Sequence, residues 1–211
     1  MNNELTLWGI GTSRTMRAHW ALLELNLGYR REVIRTRTPD TDTESFKKIN
    51  PRQKIPVLQD GALTIAESAA IVTYLAENYS NEEIILIPKQ AADRAKYFEW
   101  MSFISMELDA TSLYVLRRHW SLPEIYGDSP VANKASGEYF ERMILAAEKL
   151  HAPERSFILE GGFSGIDILM TTTLRWAVDY EQNIPDVFRN YLAAMEERPK
   201  YLAALEANQI L

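Results

Sequence analysis

Lys54-Ile55-Pro56-Val57-Leu58-Gln59-Asp60-Gly61-Ala62-Leu63-Thr64-Ile65, followed at once by Ala66-Glu67-Ser68, is the most informative run of this 211-residue chain. Residues 55–58 read as a short buried strand, 59–62 as a turn and 63–65 as a second strand. Asp-Gly between two apolar runs is a strong hairpin signal. Pro56 has no N–H, so at the mouth of a strand it leaves one ladder bond unmade. Taken alone it is an ordinary strand-start proline, since only about 5–6% of X–Pro bonds are cis. Its surroundings change those odds. Glu67-Ser68 stands where the hairpin ends and a helix over 69–77 begins. That junction puts a hydroxyl and free backbone N–H groups at the positive end of a helix, a ready site for a carboxylate.

On the N-terminal side, Leu5-Thr6-Leu7-Trp8 reads as a first strand and 9–13 as a turn. Met16, Trp20, Leu23 and Leu27 recur at helical spacing and predict a helix over 14–25. A second strand follows over 29–35, and the β-α-β unit should cross over right-handed. Gly9-x-Gly11 after a strand invites a dinucleotide-binding reading, but the third glycine is replaced by Arg14, which rejects it. A polar stretch over 36–43 leads into a short helix over 44–49. The order β-α-β-α-β-β-α is that of a thioredoxin-like domain.

Beyond the hairpin and its helix the pattern becomes wholly helical. Residues 81–90 read as a linker, with Pro88 near its end. A long apolar helix over 91–120 is closed by Leu122-Pro123, and a second runs over 133–150 with Phe140, Met143, Ile144 and Ala147 on one face. Ser164 and Asp167 have the spacing of a capping box opening a third helix. Pro199 is well placed at the first position of a last one. The expected architecture is an α/β thioredoxin-like N-terminal domain over 1–80 and an all-α helical domain over 91–211.

A content of 46% hydrophobic and 25% charged residues is globular. No apolar run reaches membrane length, and Met1-Asn2-Asn3-Glu4 lacks the basic-then-apolar pattern of a secretory leader, so neither membrane nor signal peptide is expected. Cysteine is absent. That excludes disulfides, thiolate metal sites and a protein thiol nucleophile, so thiol chemistry must come from a substrate. The net charge of −6 is uneven: 1–80 carry ten Lys/Arg against nine Asp/Glu, 81–211 thirteen against twenty. This balance argues against nucleic-acid binding. His19, His119 and His151 form no metal-ligand spacing, so no metal is expected.

Asn50-Pro51, Lys54-Ile55-Pro56-Val57-Leu58, Asp60-Gly61 and Glu67-Ser68-Ala69-Ala70-Ile71, with the capped helix at Ser164–Asp167, resemble a cytosolic glutathione S-transferase along the whole chain. The resemblance implies a cis peptide before Pro56 and a backbone at Ile55 that pairs with the cysteinyl part of glutathione. It implies further that Glu67 and Ser68 hold the γ-glutamyl end and that Lys54 meets the glycyl end. Glutathione is then the co-substrate, without a metal, and a small hydrophobic electrophile the second substrate. A cytoplasmic homodimer is implied as well. It also marks Asp167 as structural, not catalytic.

Conjugation needs the thiolate, because the thiol is a poor nucleophile. An unperturbed thiol has a pKa of about 8.5, and each unit of lowering takes about 1.4 kcal/mol. A hydroxyl hydrogen bond to a charged group is worth roughly 1.5–3 kcal/mol. Ser13, four residues before Arg17, is similar in placement to the activating serine of serine-type, theta-like transferases. The competing readings are that Ser13 only caps the first helix, or that Thr12 or Arg14 takes its place. For the electrophile, the resemblance points to Tyr114, Arg117 and Arg118 of the long helix, with Trp120 beside them and Met106 and Leu113 as apolar walls; the competing readings make the apolar residues core and the two arginines surface charges. Glutathione-dependent reduction or dehalogenation would use the same thiolate. A non-catalytic interaction protein would keep the fold and lose the thiol site.

Overall fold

The computed structural model describes residues 4–152 and 154–209; the leader reading on residues 1–4 therefore lies, apart from Glu4, outside the described residues. Two compact units divide the chain between Ile87 and Pro88 and again between Glu196 and Glu197.

The first unit is built on a four-stranded sheet. β1 (Leu5–Trp8) lies at its centre because Leu5, Thr6 and Leu7 are all buried, giving both faces something to pack against. It pairs in parallel with β2 (Tyr29–Glu32) and antiparallel with β3 (Val57–Asp60), which pairs in turn with β4 (Leu63–Ala66), in the order β2-β1-β3-β4. The hairpin turns on Gly61-Ala62, with Asp60 opposite Leu63 and Gly61 at φ +57°. A positive φ at the first central residue is what a two-residue hairpin loop asks for.

Two strands differ from the sequence reading. β3 starts at Val57, not Ile55, and runs on to Asp60; Pro56 offers no N–H with which a ladder could begin earlier. β2 stops at Glu32 instead of reaching 35. There Asp40 accepts the Arg35 N–H at 3.2 Å and Thr38 donates to the Arg35 carbonyl at 2.8 Å, so local side chains take the backbone groups a strand would need.

α1 (Ser13–Glu24) buries Met16, Ala18, Trp20, Ala21 and Leu22, α2 (Glu44–Ile49) buries Phe46, and α3 (Ser68–Tyr79) buries Ile71, Val72, Leu75 and Ala76. At the hairpin, buried Asp60 accepts hydrogen bonds from the hydroxyls of Tyr74 (2.7 Å) and Tyr79. Burial first, then Asp60, pushes the Tyr74 hydroxyl up to about 12.

The second unit opens on one helical rod: α4 (Ala91–Phe103), a π-helical stretch Ile104–Leu113, a short α5 (Tyr114–Leu116) and a further π turn Arg117–Ser121. Ser112 donates to the carbonyl of Glu107, five residues back, at 2.7 Å. Pro123 then starts α6 (Pro123–Tyr126). α7 (Pro130–Leu150) begins three residues before its expected start because Ser129 caps it and Pro130 fits the first helical position. α8 (Gly165–Asp179) carries the capping box read from the sequence: the Ser164 N–H donates to Asp167 at 2.8 Å and the Ser164 hydroxyl accepts the Ile166 N–H at 3.2 Å. Asp167 also takes the Ile158 N–H and the Tyr191 hydroxyl of α9 (Asp186–Glu196), each at 2.9 Å. It therefore ties loop, cap and neighbouring helix together. Burial, against these hydrogen bonds, raises it to about 6.

α10 (Pro199–Ala207) follows, with Pro199 at its first position. The sequence reading groups it with 91–211, whereas the structure packs it along α1 in the first unit. Arg198 clasps Glu24 with bonds of 3.0 and 3.1 Å, and the Trp20 N–H reaches the same carboxylate at 2.9 Å. The rings of Trp20 and Tyr201 meet edge to face at 5.0 Å.

Candidate functional site

Three segments of the first unit converge. The first is the turn from β1 into α1. Thr12 is the helix cap, in extended conformation, and shares a reciprocal box with Thr15: each hydroxyl accepts the other's N–H, at 3.0 and 2.9 Å. This settles the capping question left open by the sequence. Ser13 is the first helical residue, partly exposed, and among the described residues its hydroxyl makes no hydrogen bond.

The turn lies close to Ile55 because residue 9 is glycine. At φ +118°, a Cβ there would fall 2.6 Å from the Ile55 Cβ. His19, fully buried, receives the Tyr29 hydroxyl on Nδ1 at 2.7 Å and donates from Nε2 to the Gly9 carbonyl at 3.1 Å, the arrangement of a neutral ring. Burial lowers His19 to about 4, the Gly9 carbonyl opposing and the Arg31 charge adding to it. Burial likewise raises Tyr29 to about 12. Tyr29 is thus a hydrogen-bond partner of the buried ring.

The second segment runs from Asn50 to Pro56. Buried Asn50 folds it, donating from Nδ2 to the Lys54 carbonyl at 2.8 Å and accepting the Arg52 N–H at 3.2 Å. The Ile55–Pro56 peptide is cis. The ladder ends at Val57, opposite Trp8 and Ala66, so the peptide groups of Ile55 lie beyond it. Lys54 is exposed.

The third segment is the start of α3. Glu67, the N-cap residue, sits at φ +72°, ψ +116°, rare for a residue with a side chain, and its side chain makes no bond to the helix start. Its exposed carboxylate pairs with Arg52 at 2.8 Å. Ser68 begins the helix, and its Oγ accepts a 3.1 Å bond from buried Arg17. Arginine carries only donors, so the Ser68 proton remains available to a further acceptor.

In the second unit, the Arg118 guanidinium lies 4.9 Å over the Tyr114 ring and 5.3 Å over the Tyr126 ring, while Arg117 is partly buried. Leu113 is fully buried, in keeping with the core alternative of the sequence reading, whereas Met106 is 62% exposed. Trp120 packs edge to face on Tyr180 at 5.3 Å. Among the described residues no group of three or more His, Cys, Asp or Glu could hold a metal, and no helix is long and apolar enough to cross a membrane.

Sequence reasoning used Arg17 only as a marker for Ser13 and gave no site role to Gly9, Thr15, His19 or Asn208. Thr12-x-x-Thr15 spells a reciprocal cap, a signal that could have been read; the others act through partners distant in the chain.

The first unit is thus a thioredoxin-like sheet with a helix start and a looped segment at one end. Residues 3–77 match the family model for the glutathione S-transferase N-terminal domain. The chain is 23% identical over 209 residues to glutathione S-transferase A of Pleuronectes platessa, covering 97% of this chain and 92% of that protein. It is 31% identical over 114 residues to the dichloromethane dehalogenase of Methylophilus leisingeri, covering 52% of this chain and 40% of that one. A glutathione transferase from Burkholderia graminis, solved with two glutathione molecules per subunit, superposes with a TM-score of 0.81 at 26% identity over 97% of this chain and 88% of that one. Residues 3–77 are thus a glutathione S-transferase N-terminal domain, and the chain as a whole is similar to cytosolic glutathione S-transferases.

Proposed function

We propose that this protein is a serine-type glutathione transferase in which Ser13 holds glutathione as the thiolate for attack on a small hydrophobic electrophile. The observation that carries this reading is the division of labour at the α1 start: Thr12 caps the helix, leaving the Ser13 hydroxyl with no bond of its own among the described residues. A donor of this kind, aimed at a charged sulfur, is worth roughly 1.5–3 kcal/mol. That lowers a thiol from about 8.5 by about one to two units, into the physiological range. The peptide groups of Ile55 beyond the ladder suit the cysteinyl backbone. The Ser68 hydroxyl, the open end of α3 and Glu67 suit the γ-glutamyl carboxylate and amine. Lys54 suits the glycyl carboxylate.

Attack forms a carbon–sulfur bond and expels the electrophile's leaving group. With an alkyl halide the same step is a dehalogenation, which the resemblance to the dichloromethane dehalogenase favours as a second reading. Tyr114, Arg117 and Arg118 are assigned to the electrophile. The Arg118–Tyr114 stack supports this by offering a flat, cationic face. The same reading takes the protein as a cytoplasmic homodimer.

The test is steady-state turnover with 1-chloro-2,4-dinitrobenzene and with dichloromethane, native against Ser13→Ala. Conjugation lowered at least tenfold in the variant supports the reading, and the preferred halide separates the two reactions. A native protein that binds glutathione and turns over neither substrate overturns it in favour of a non-catalytic role.

A further inference from the structure

We propose that Asn208, just past the end of α10, is a positioning residue for Ser13; the proposal rests on the thiolate role given to Ser13 above. The turn that carries Ser13 is held from a point 193 to 197 positions away in the chain. Asn208 Oδ1 accepts the Gly11 N–H at 3.1 Å and the Thr15 hydroxyl at 2.7 Å. Its Nδ2 donates to the Thr12 carbonyl at 3.1 Å, and its own main-chain carbonyl accepts the Gly11 N–H at 2.9 Å. One side chain thus grips the residues on both sides of Ser13 while making no bond to Ser13 itself.

The amide is suited to this because it both donates and accepts. Alanine would drop both functions. Aspartate would keep the acceptor, lose the donor to the Thr12 carbonyl, and bring a negative charge to the turn, which opposes a thiolate nearby. Asn208 is in turn held where it is. Arg31 of β2 donates to the Ala207 carbonyl at 2.7 Å, and the Arg198–Glu24 clasp fixes the other end of α10. The helix therefore serves as a strap whose tip sets the aim of the Ser13 hydroxyl. Aim matters here, since a shift of 1 Å in a catalytic group can cost about a hundredfold.

The experiment measures the ionisation of bound glutathione through the thiolate's ultraviolet band, in the native protein, Ser13→Ala, Asn208→Ala, Asn208→Asp and the double variant Ser13→Ala/Asn208→Ala. This reads the site without any choice of electrophile. Asn208→Ala should raise the bound thiol pKa by about one unit, a tenfold loss of thiolate on the acid side, with the glutathione Kd, measured below the bound thiol pKa, changed less than about threefold. Asn208→Asp, which keeps the shape of the side chain and serves if the alanine variant is unstable, should raise it at least as far. The double variant should match Ser13→Ala alone, because a positioning residue has nothing left to position. A native ionisation in Asn208→Ala beside a raised one in Ser13→Ala refutes the strap and leaves the site reading standing. Additive shifts in the double variant refute it as well. An unshifted Ser13→Ala overturns the site reading itself, and the strap with it.

Discussion

Replacing Gly9 by alanine should damage the first unit and its site together. The new Cβ would lie 2.6 Å from the Ile55 Cβ and 3.0 Å from both the Ile55 and Thr15 Cγ2 atoms. Carbon atoms sit best at about 3.5–4.0 Å, so about 1 Å must be opened between the Ser13 turn and Ile55. Overpacking of that size costs about 1–3 kcal/mol. The backbone at φ +118° adds strain of about 1–3 kcal/mol for any residue with a side chain. The sum, about 2–6 kcal/mol, is a large part of the roughly 5–15 kcal/mol by which a domain is stable. Urea unfolding followed by tryptophan fluorescence reports it, since Trp8 and Trp20 both belong to this unit. Protein that remains folded should bind glutathione more weakly, because the two segments assigned to the peptide have moved apart. Gly28→Ala is the control: nothing lies within 4 Å of its Cβ and its φ is not in the left-handed region, so it should stay within about 0.5 kcal/mol of native. A Gly9→Ala cost below about 1 kcal/mol would refute the close approach of turn and loop.

Acid should act on the two units in opposite directions. His19 is lowered to about 4 from an ordinary 6.5, so the unfolded chain binds the extra proton between those values and stability falls as pH drops through that window. The shift corresponds to roughly 3 kcal/mol. His19→Gln should flatten this acid loss in urea titrations, and an unchanged slope would count against a neutral, buried His19. Asp167 is raised to about 6 from 3.8, so its contribution is present below 3.8 and is lost as pH rises through 6. Asp167→Asn, which cannot satisfy the Ser164, Ile158 and Tyr191 donors together, should therefore cost more near pH 4 than at pH 7, by about 2–3 kcal/mol. A cost that does not vary with pH would show that Asp167 is charged throughout.

Much of this was written in short-range pattern. Leu5-Thr6-Leu7-Trp8, the Asp60-Gly61 turn and the Ser164-x-x-Asp167 cap each announce themselves within a few residues, because strand alternation, turn conformation and capping are local effects. The order of elements in the first unit followed from them. The boundary of β3 slipped by two residues because apolar character was read through Pro56, which has no N–H to give. What stayed hidden depends on partners brought together only by folding. Trp20 and Tyr201 are 5.0 Å apart in space, yet no spacing relates them, so the place of α10 beside α1 could not be read. Arg17 behind Ser68, and Asn208 beneath Thr12 and Thr15, are hidden for the same reason. That the cap is Thr12, where the sequence reading offered only Ser13, is a matter of one residue of register, finer than hydrophobic pattern resolves, although the Thr12-x-x-Thr15 pair did encode it.

The most direct test of the central claim is the proton released when glutathione binds, measured by calorimetry in buffers of different ionisation heat around neutral pH, native against Ser13→Ala. The native protein should release close to one proton above the lowered thiol pKa, and the variant clearly less with glutathione still bound. Equal release from both proteins would contradict the assignment of the thiolate to Ser13.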